Sequence, residues 1–337
     1  MSYHYASATG YHHRMRDEAS ALPAARLSRH PDGITAVDTE YLHPGHAAAH
    51  LIQHGGRAAF VDVGTNDSVP YLLAALRELD VPPEAVDYVL LTHVHLDHAG
   101  GAGRLMRLLP NALCVLHPRG APHMIDPGRL IAGSQAVYGP ERFARLYGTI
   151  EPVAAERVRI TRDGERLGLA GREFEILHTP GHALHHQVFV DHAHRCVFTG
   201  DTFGISYREL DSPAGAFITP TTTPTQFDPG QMCASIDRLL ALAPEAMYLM
   251  HYSRVTDVPR LGESLKQQVR QLERIARQSA SAADRHGAIR EALWQLWREL
   301  AHRHGCPVGE ARLAALLAGD LELNTQGLVH WLDTRAG

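Results

Sequence analysis

Cysteine is scarce in this sequence, with four residues in 337 and no C-x-x-C pair. Cys114, Cys196, Cys233 and Cys306 are separated by long stretches of chain. A disulfide framework and a thiolate zinc site both need regularly or closely spaced cysteines, so this spacing excludes both classes. We interpret the four side chains as reduced thiols that fill space.

Positive charge and long apolar runs are also lacking. The chain has 32 basic and 37 acidic residues, a formal charge of -5, whereas proteins that mainly bind nucleic acid carry a positive balance. No stretch approaches the roughly 18 apolar residues of a membrane helix, and the first residues lack the apolar segment of a signal peptide. We therefore expect a cytoplasmic protein that acts on a small-molecule substrate, without nucleic-acid or membrane partners. Association into a homodimer stays open.

Histidine, by contrast, is abundant, with 24 residues, three of them in the segment "LLTHVHLDHAGG". His93, His95, Asp97 and His98 follow the apolar run "VDYVLL", which predicts a buried strand. With one residue between them on an extended turn, the imidazoles of His93 and His95 can face the same side and chelate one ion. Asp97 and His98 come where a helix begins and point in divergent directions, which brings a second ion within reach.

The chain divides into three predicted parts. Residues 1–30 lack apolar periodicity and are interpreted as an N-terminal arm, whereas residues 31–258 mix short apolar runs with helical spacing. This mixture predicts two sheets covered by helices on both outer faces. Residues 259–337 contain only helical signals, including a helix that ends at Gly305, and are predicted to be an all-helical C-terminal extension. Three roles are open for that extension: it lines one wall of the pocket, it forms a dimer interface, or it only packs against the rest of the protein.

Three further predicted strands also end in residues that bind metals. "FEILH" leads to His182 in the turn "TPGH", "CVFTG" leads to Asp201, and "AMYLM" leads to His251. Each residue alone has an ordinary alternative, such as a core histidine with a backbone partner or an aspartate that caps a turn. Because strand ends in layered α/β proteins gather at one sheet edge, their joint occurrence favours a shared metal site.

Imidazole and carboxylate donors without thiolate suit zinc, iron or manganese, and seven donors are too many for one tetrahedral ion. We therefore predict two divalent metal ions, with zinc preferred, and hydrolysis as the reaction. Asp201 is assigned as the bridge, and Asp97 also as the group that orients the nucleophile and passes a proton. The first ligand set is His93, His95 and His182, and the second is Asp97, His98 and His251.

The motifs "THVHLDH", "TPGH", "TGDT" and "MH", in this order, resemble the metallo-β-lactamase superfamily over about residues 34–258. The resemblance implies an α/β fold, an αββα four-layer sandwich, with a dinuclear site at one edge of the sheets. "FVDVGT" is similar to the family's motif at an early strand end, which implies that Asp62 steadies the metal-binding loop. A turn-capping aspartate is the alternative for Asp62.

The same resemblance points to the lactonase and glyoxalase II-like branch. Lactonases of the superfamily share the ligands and carry a tyrosine after the bridging aspartate that touches the substrate carbonyl; Tyr207 is the candidate, with packing as the alternative. Glyoxalase II-like thioesterases share the ligands and a helical extension, but their Cys- and Gly-containing segment is missing from "GDTFGISYREL". We therefore predict a lactone substrate, with a glyoxalase II-type thioester or an iron-dependent persulfide dioxygenase-like reaction as alternatives.

Overall fold

The computed structural model describes residues 22–334, which form two β-sheets and the helices that cover them. The first sheet contains β1 to β7 in chain order, and the second has the order β13-β12-β11-β10-β9-β8. The strands are β1 Leu27–Arg29, β2 Ile34–Asp38, β3 Ala48–His54, β4 Arg57–Val61, β5 Val86–Leu90, β6 Leu113–Leu116, β7 Val158–Ile160, β8 Glu165–Leu169, β9 Arg172–His178, β10 Gln187–Asp191, β11 Cys196–Gly200, β12 Ala246–Leu249 and β13 Ser253–Val255.

Both sheets are mixed. The first is antiparallel from β1 to β4 and parallel from β4 to β7, where helices make the crossovers. The second is antiparallel apart from the neighbours β11 and β12, which are parallel. The α-helices among residues 22–334 are α1 Val69–Glu78, α2 Leu96–Ala99, α3 Ala102–Leu108, α4 Ala121–Ile125, α5 Gly128–Tyr138, α6 Pro140–Tyr147, α7 Pro229–Ala241, α8 Val258–Ser279, α9 Arg285–His304 and α10 Glu310–Asp333.

Three apolar cores separate four layers. Between the sheets lie side chains from both inner faces, such as Val61 and Leu90 from the first sheet and Phe189 and Phe198 from the second. A second core joins the outer face of the first sheet to α1 and α3. A third joins the second sheet to α7 and to the C-terminal helices. This is the predicted αββα sandwich, with helices after residue 258 as expected.

The C-terminal helices begin and end where their sequence directs. In α9, the carboxylate of Asp284 accepts a hydrogen bond from the backbone N–H of Gly287, which caps the first turn. Gly305 ends the same helix in the left-handed conformation, with φ of 74°, which a glycine adopts at little cost. Trp297 of α9 is fully buried in the core shared with the second sheet, so these helices pack directly onto the sandwich.

The predicted N-terminal arm, residues 1–30, needs one correction. Its last part is not loose, because Leu27–Arg29 forms β1, which pairs antiparallel with β2 at the edge of the first sheet. Residues 1–21 lie outside the described part of the chain. Within residues 22–334, no helix is both long enough and apolar enough to cross a membrane.

Helix α10 is fastened to the loop that follows β11. The side-chain carbonyl of Asn324 accepts hydrogen bonds from the backbone N–H and the hydroxyl of Thr222, both at 2.8 Å. Both residues are fully buried. One turn further along, Gly327 lies so close to this loop that a Cβ atom would stand 1.5 Å from the carbonyl oxygen of Thr222. The helix therefore depends on a glycine and an asparagine to reach its place.

We predict that Gly327→Ala destabilises the fold by about 1 to 3 kcal/mol, because the added methyl forces backbone atoms apart in a packed contact. Chemical denaturation would measure the change in the free energy of unfolding. The matched control is Gly319→Ala in the same helix, where a Cβ meets nothing within 4 Å. That control should be neutral or slightly stabilising, since alanine favours helix over glycine. Equal stability of the two variants would contradict the close contact.

Candidate metal centre

The strand ends bring the predicted ligands together at one edge of the two sheets. Because β11 and β12 are parallel neighbours, the residues after them, Asp201 and His251, emerge side by side. β9 runs parallel to β11 with β10 between them, and the turn after β9 carries His182 to the same edge. From the first sheet, β5 leads to His93, and the short helix α2 presents Asp97.

Three imidazoles form one compact group of nitrogen atoms. Nδ1 of His95 lies 2.9 Å from Nε2 of His93 and 3.0 Å from Nε2 of His182. Burial lowers the pKa of all three rings, for His95 to about 3, so each is a neutral imidazole near pH 7. Neutral imidazoles that aim ring nitrogens at one point match a divalent metal ion, which binds their lone pairs.

A second group lies beside the first, with a carboxylate between them. Oδ2 of Asp97 is 3.3 Å from Nε2 of His251 and 3.8 Å from Nε2 of His98. Asp201 faces both groups: its Oδ2 is 3.5 Å from Nε2 of His182, and its Oδ1 is 3.2 Å from Nε2 of His98. The two oxygens of one carboxylate are thus divided between the two groups, as a bridging ligand requires.

Two atoms at the centre of the cluster lack hydrogen bonds. His98 Nε2 and Asp201 Oδ1 are both buried and lie 3.2 Å apart, but neither makes a hydrogen bond of acceptable geometry within residues 22–334. Buried polar atoms without partners are costly, so such atoms in a native protein mark the place of a ligand or ion. Within residues 22–334, the donor atoms of each three-residue group lie within 4.8 Å of one another; the groups are His93, His95 and His182, then His93, His98 and Asp201, then Asp97, His98 and His251.

The charges of the cluster also favour a cation. Burial alone would lower the pKa of His98. The carboxylates of Asp201, Asp97 and Asp62 outweigh that effect and raise this pKa well above its ordinary value. Burial likewise disfavours the charged form of Asp201, but His98 and His182 hold the pKa of its carboxyl well below the usual range. Buried carboxylates in this cluster therefore stay ionised and depend on positive charge beside them.

Asp62 lies directly behind His98. Its Oδ2 accepts hydrogen bonds from Nδ1 of His98 at 2.9 Å and from the hydroxyl of Thr92 at 2.8 Å, and its Oδ1 accepts the backbone N–H of Thr92. This carboxylate fixes both the ring orientation and the tautomer of His98, leaving Nε2 free to face the cluster. Asp62 therefore supports the loop and does not itself reach the centre.

The other histidines that direct Nε2 toward the cluster are oriented in the same way, by a hydrogen bond at Nδ1. In each ring Nδ1 meets an oxygen acceptor, so the N–H lies at Nδ1 and the lone pair at Nε2. His93 Nδ1 lies 3.1 Å from the Thr92 hydroxyl, His182 Nδ1 is 3.2 Å from the Thr221 carbonyl, and His251 Nδ1 is 2.9 Å from the His46 carbonyl.

Tyr207 is placed differently from its predicted contact with the substrate. Its side chain is 2% exposed, and its hydroxyl donates a 3.0 Å hydrogen bond to Oδ2 of Asp320. The ring stacks on His46, with 5.3 Å between ring centroids. Burial first, and then the Asp320 carboxyl, raises the pKa of Tyr207 well above its ordinary value. Tyr207 is therefore not among the residues that line the cavities beside the cluster, whereas its partner Asp320 is.

Two adjoining cavities, of about 200 and 160 Å³, open onto the cluster. Asp97, Asp201, Tyr138, Thr223 and Leu323 line both of them. The larger cavity also contacts His95, His123, Arg129, Ser134, His185 and Gln226. The smaller one also contacts Tyr41, His46, Arg142, His251, Leu316 and Asp320. The ligand cluster thus stands where two differently lined cavities meet.

The C-terminal extension and the loop after β2 bring residues to the site that the sequence does not predict. Asp320 and Leu323 of α10 line the smaller cavity, as do Tyr41 and His46. Their surroundings contain no motif, and the only signal for Asp320 is an acidic residue in the otherwise apolar stretch "LAALLAGDL". The extension therefore forms a wall of the pocket, one of the three roles expected for it.

Comparison with protein families agrees with this architecture. The model of the metallo-beta-lactamase superfamily matches residues 43–251, the part of the chain that holds all seven predicted ligands. The chain belongs to the metallo-β-lactamase superfamily.

Relatives within the family cover parts of this chain. The hydroxyacylglutathione hydrolase of Aeromonas hydrophila is 28% identical over 202 residues, which cover 60% of this chain and 59% of that protein. That of Klebsiella pneumoniae is 31% identical over 152 residues, which cover 45% of each chain. The chain thus spans 45% to 59% of the length of these two relatives.

Solved structures share the fold over nearly the whole chain. An archaeal metallo-β-lactamase superfamily protein from Sulfolobus tokodaii has 22% identity and a TM-score of 0.60, with 91% of this chain and 99% of that chain covered. A metallo-β-lactamase family protein from Thermus thermophilus has 20% identity and a TM-score of 0.59, with 94% and 95% covered. At these identities the likeness shows the fold.

We predict that Asp62→Ala weakens metal binding by about 10- to 100-fold, because His98 loses the acceptor that orients its ring. Competition with a chelating dye would measure the affinity. The control is Asp67→Ala, which removes an exposed carboxylate five residues away. Circular dichroism would show that both variants are folded. Metal affinity equal to that of the parent protein in Asp62→Ala would mean that Asp62 does not orient His98.

Proposed function

We propose that this protein is a dinuclear metal-dependent hydrolase of small ester-type substrates. The observation that carries the proposal is the Asp201 carboxylate, whose two oxygens are divided between two groups of ligands. Seven nitrogen and oxygen donors without thiolate suit two divalent ions, of which zinc fits best and iron or manganese also fit. When bound, such a pair lowers the pKa of water and polarises a carbonyl oxygen.

Residues of the chain itself orient the attacking water and transfer the proton. Asp97 is the most exposed of the carboxylates in the cluster, with 22% of its side chain accessible, and it lines both cavities. One of its oxygens faces His98 and His251, so the other can orient the attacking water and carry a proton to the leaving group. Asp97 thereby has two roles, as ligand and as acid-base group.

The cavities favour an open-chain ester over a lactone. The lactone prediction depended on a Tyr207 hydroxyl that touches the substrate carbonyl, and that hydroxyl instead donates to Asp320. Two cavities that meet at the cluster suit a substrate whose acyl group and leaving group extend in different directions. A lactone, whose acyl and leaving groups share one ring, does not need both.

A thioester is the second candidate. It is favoured by the relatives named hydroxyacylglutathione hydrolase, which are 28% to 31% identical to parts of this chain. The persulfide dioxygenase-like reaction gains no such support, since the second ligand group is complete. A cytoplasmic location, a homodimer and the lack of a nucleic-acid partner stay predictions from the sequence.

A panel of open-chain esters, thioesters, lactones, phosphodiesters and β-lactams, assayed with zinc-, manganese- and iron-loaded protein, tests the proposal. We expect turnover of esters first and thioesters second. A preference for lactones would restore the original prediction of the substrate. Oxygen uptake with a persulfide, or inactivity on every ester and thioester, would overturn the proposal.

We predict that Asp97→Asn lowers kcat by about 100-fold or more, because the amide keeps the shape of the side chain but neither the charge nor the basicity. Turnover and metal content would be measured together. Asp67→Asn, which changes an exposed carboxylate outside the cavities, serves as the control. Near-parental turnover in Asp97→Asn would show that Asp97 is not the acid-base group.

A further inference from the structure

Asp320 is a carboxylate that the family motifs do not include. It lies on α10, outside residues 43–251, the segment that the superfamily model matches. Yet it lines the smaller cavity together with the ligands Asp97, Asp201 and His251. The extension thus adds an acidic group to the wall that faces the cluster.

One oxygen of this carboxylate is held, and the other is available. Oδ2 accepts a hydrogen bond from the hydroxyl of Tyr207 at 3.0 Å, whereas Oδ1 makes no hydrogen bond to a residue among 22–334. Asp320 also has no salt bridge to a described residue. A carboxylate oxygen has capacity for at least one more donor, so Oδ1 has an acceptor position open to the cavity.

The position of the carboxylate is fixed from two sides. Tyr207 is wedged between Asp320 and the ring of His46, and it is 2% exposed. On the helix, the side-chain N–H of Asn324 donates a hydrogen bond to the backbone carbonyl of Asp320 at 2.8 Å. The side-chain carbonyl of Asn324 accepts a hydrogen bond from the backbone N–H of Thr222. An acceptor held in this way selects by geometry, because binding does not first have to order it.

The surroundings indicate a neutral donor. Ala315, Leu316 and Leu323 give this part of the cavity an apolar wall. With two divalent ions bound, a positively charged substrate group would lie beside them, and Arg142 also lines the cavity, so an ammonium would be disfavoured. A hydroxyl or an amide N–H meets the same oxygen without that repulsion.

We propose that Asp320 is a specificity residue, which accepts a hydrogen bond from a hydroxyl or amide N–H near the scissile carbonyl of the substrate. Tyr207 is then its positioning residue. This inference rests on the proposed hydrolysis of esters. It adds to that function the class of substrate: acyl esters that carry a neutral hydrogen-bond donor.

Paired substrates test the inference on the full chain loaded with zinc. The pairs are nitrophenyl esters of 2-hydroxybutanoate and 3-hydroxybutanoate against butanoate, and of N-acetylglycine against pentanoate. For at least one pair, we expect kcat/KM to favour the donor-bearing ester by about 10- to 100-fold, the scale of a hydrogen bond to a charged group. Asp320→Ala should abolish that preference, because the donor-bearing ester loses an acceptor that the donor-free ester never uses.

Two further variants separate selection from structure. Tyr207→Phe should reduce the preference, mainly through KM, because Asp320 keeps its charge but loses its fixed position. The control Glu322→Ala removes a carboxylate two residues away that pairs with His286 and Gln326, and it should keep the preference. A purely structural role of Asp320 would lower turnover of both esters of a pair equally, and that result would overturn the inference.

A binding measurement keeps the two proposals distinguishable. Calorimetry with the free acids, such as 3-hydroxybutanoate against butanoate, should show tighter binding of the donor-bearing acid to the parent protein and no difference in Asp320→Ala. If the parent protein cleaves no ester, the proposed hydrolysis fails, and the affinity ratio alone decides the role of Asp320. Equal affinities for every pair of acids would overturn it.

Discussion

The structure depends on one interaction, the placing of the Asp201 carboxylate between two groups of imidazoles. Its two oxygens lie 3.2 Å from His98 and 3.5 Å from His182, in surroundings that exclude most water. A buried carboxylate is stable only when positive charge is supplied beside it, by a bound cation or by a protonated ring such as His98. The second layer of hydrogen bonds, led by Asp62, keeps the ring nitrogens aimed at that charge.

The same edge of the sandwich is also the point where the C-terminal extension meets the two sheets. The side chain of Asn324 in α10 accepts a hydrogen bond from the backbone N–H of Thr222. The carbonyl of the preceding residue, Thr221, accepts a hydrogen bond from Nδ1–H of His182. The docking of the last helix is therefore connected to the orientation of a ligand through a single short loop. Because α10 also supplies Asp320, it contributes both to the stability of the site and to the lining of its cavity.

The layers and the meeting of the ligands could be predicted from the sequence because both follow from local patterns. An apolar run followed by His93, or by Asp201, predicts a buried strand and names the residue at its end. The contact between Tyr207 and Asp320 could not be predicted, since 113 residues separate the partners and no motif marks Asp320. The edge strand at Leu27–Arg29 was missed because only three residues pair there, too few for a periodic pattern.

The number and position of the metal ions in the purified protein would test the dinuclear site most sharply. Elemental analysis combined with anomalous diffraction from a crystal would give both. We predict two divalent ions per chain, with Asp201 in contact with each. A single ion held by His93, His95 and His182, with Asp97 and His251 left unbound, would contradict it.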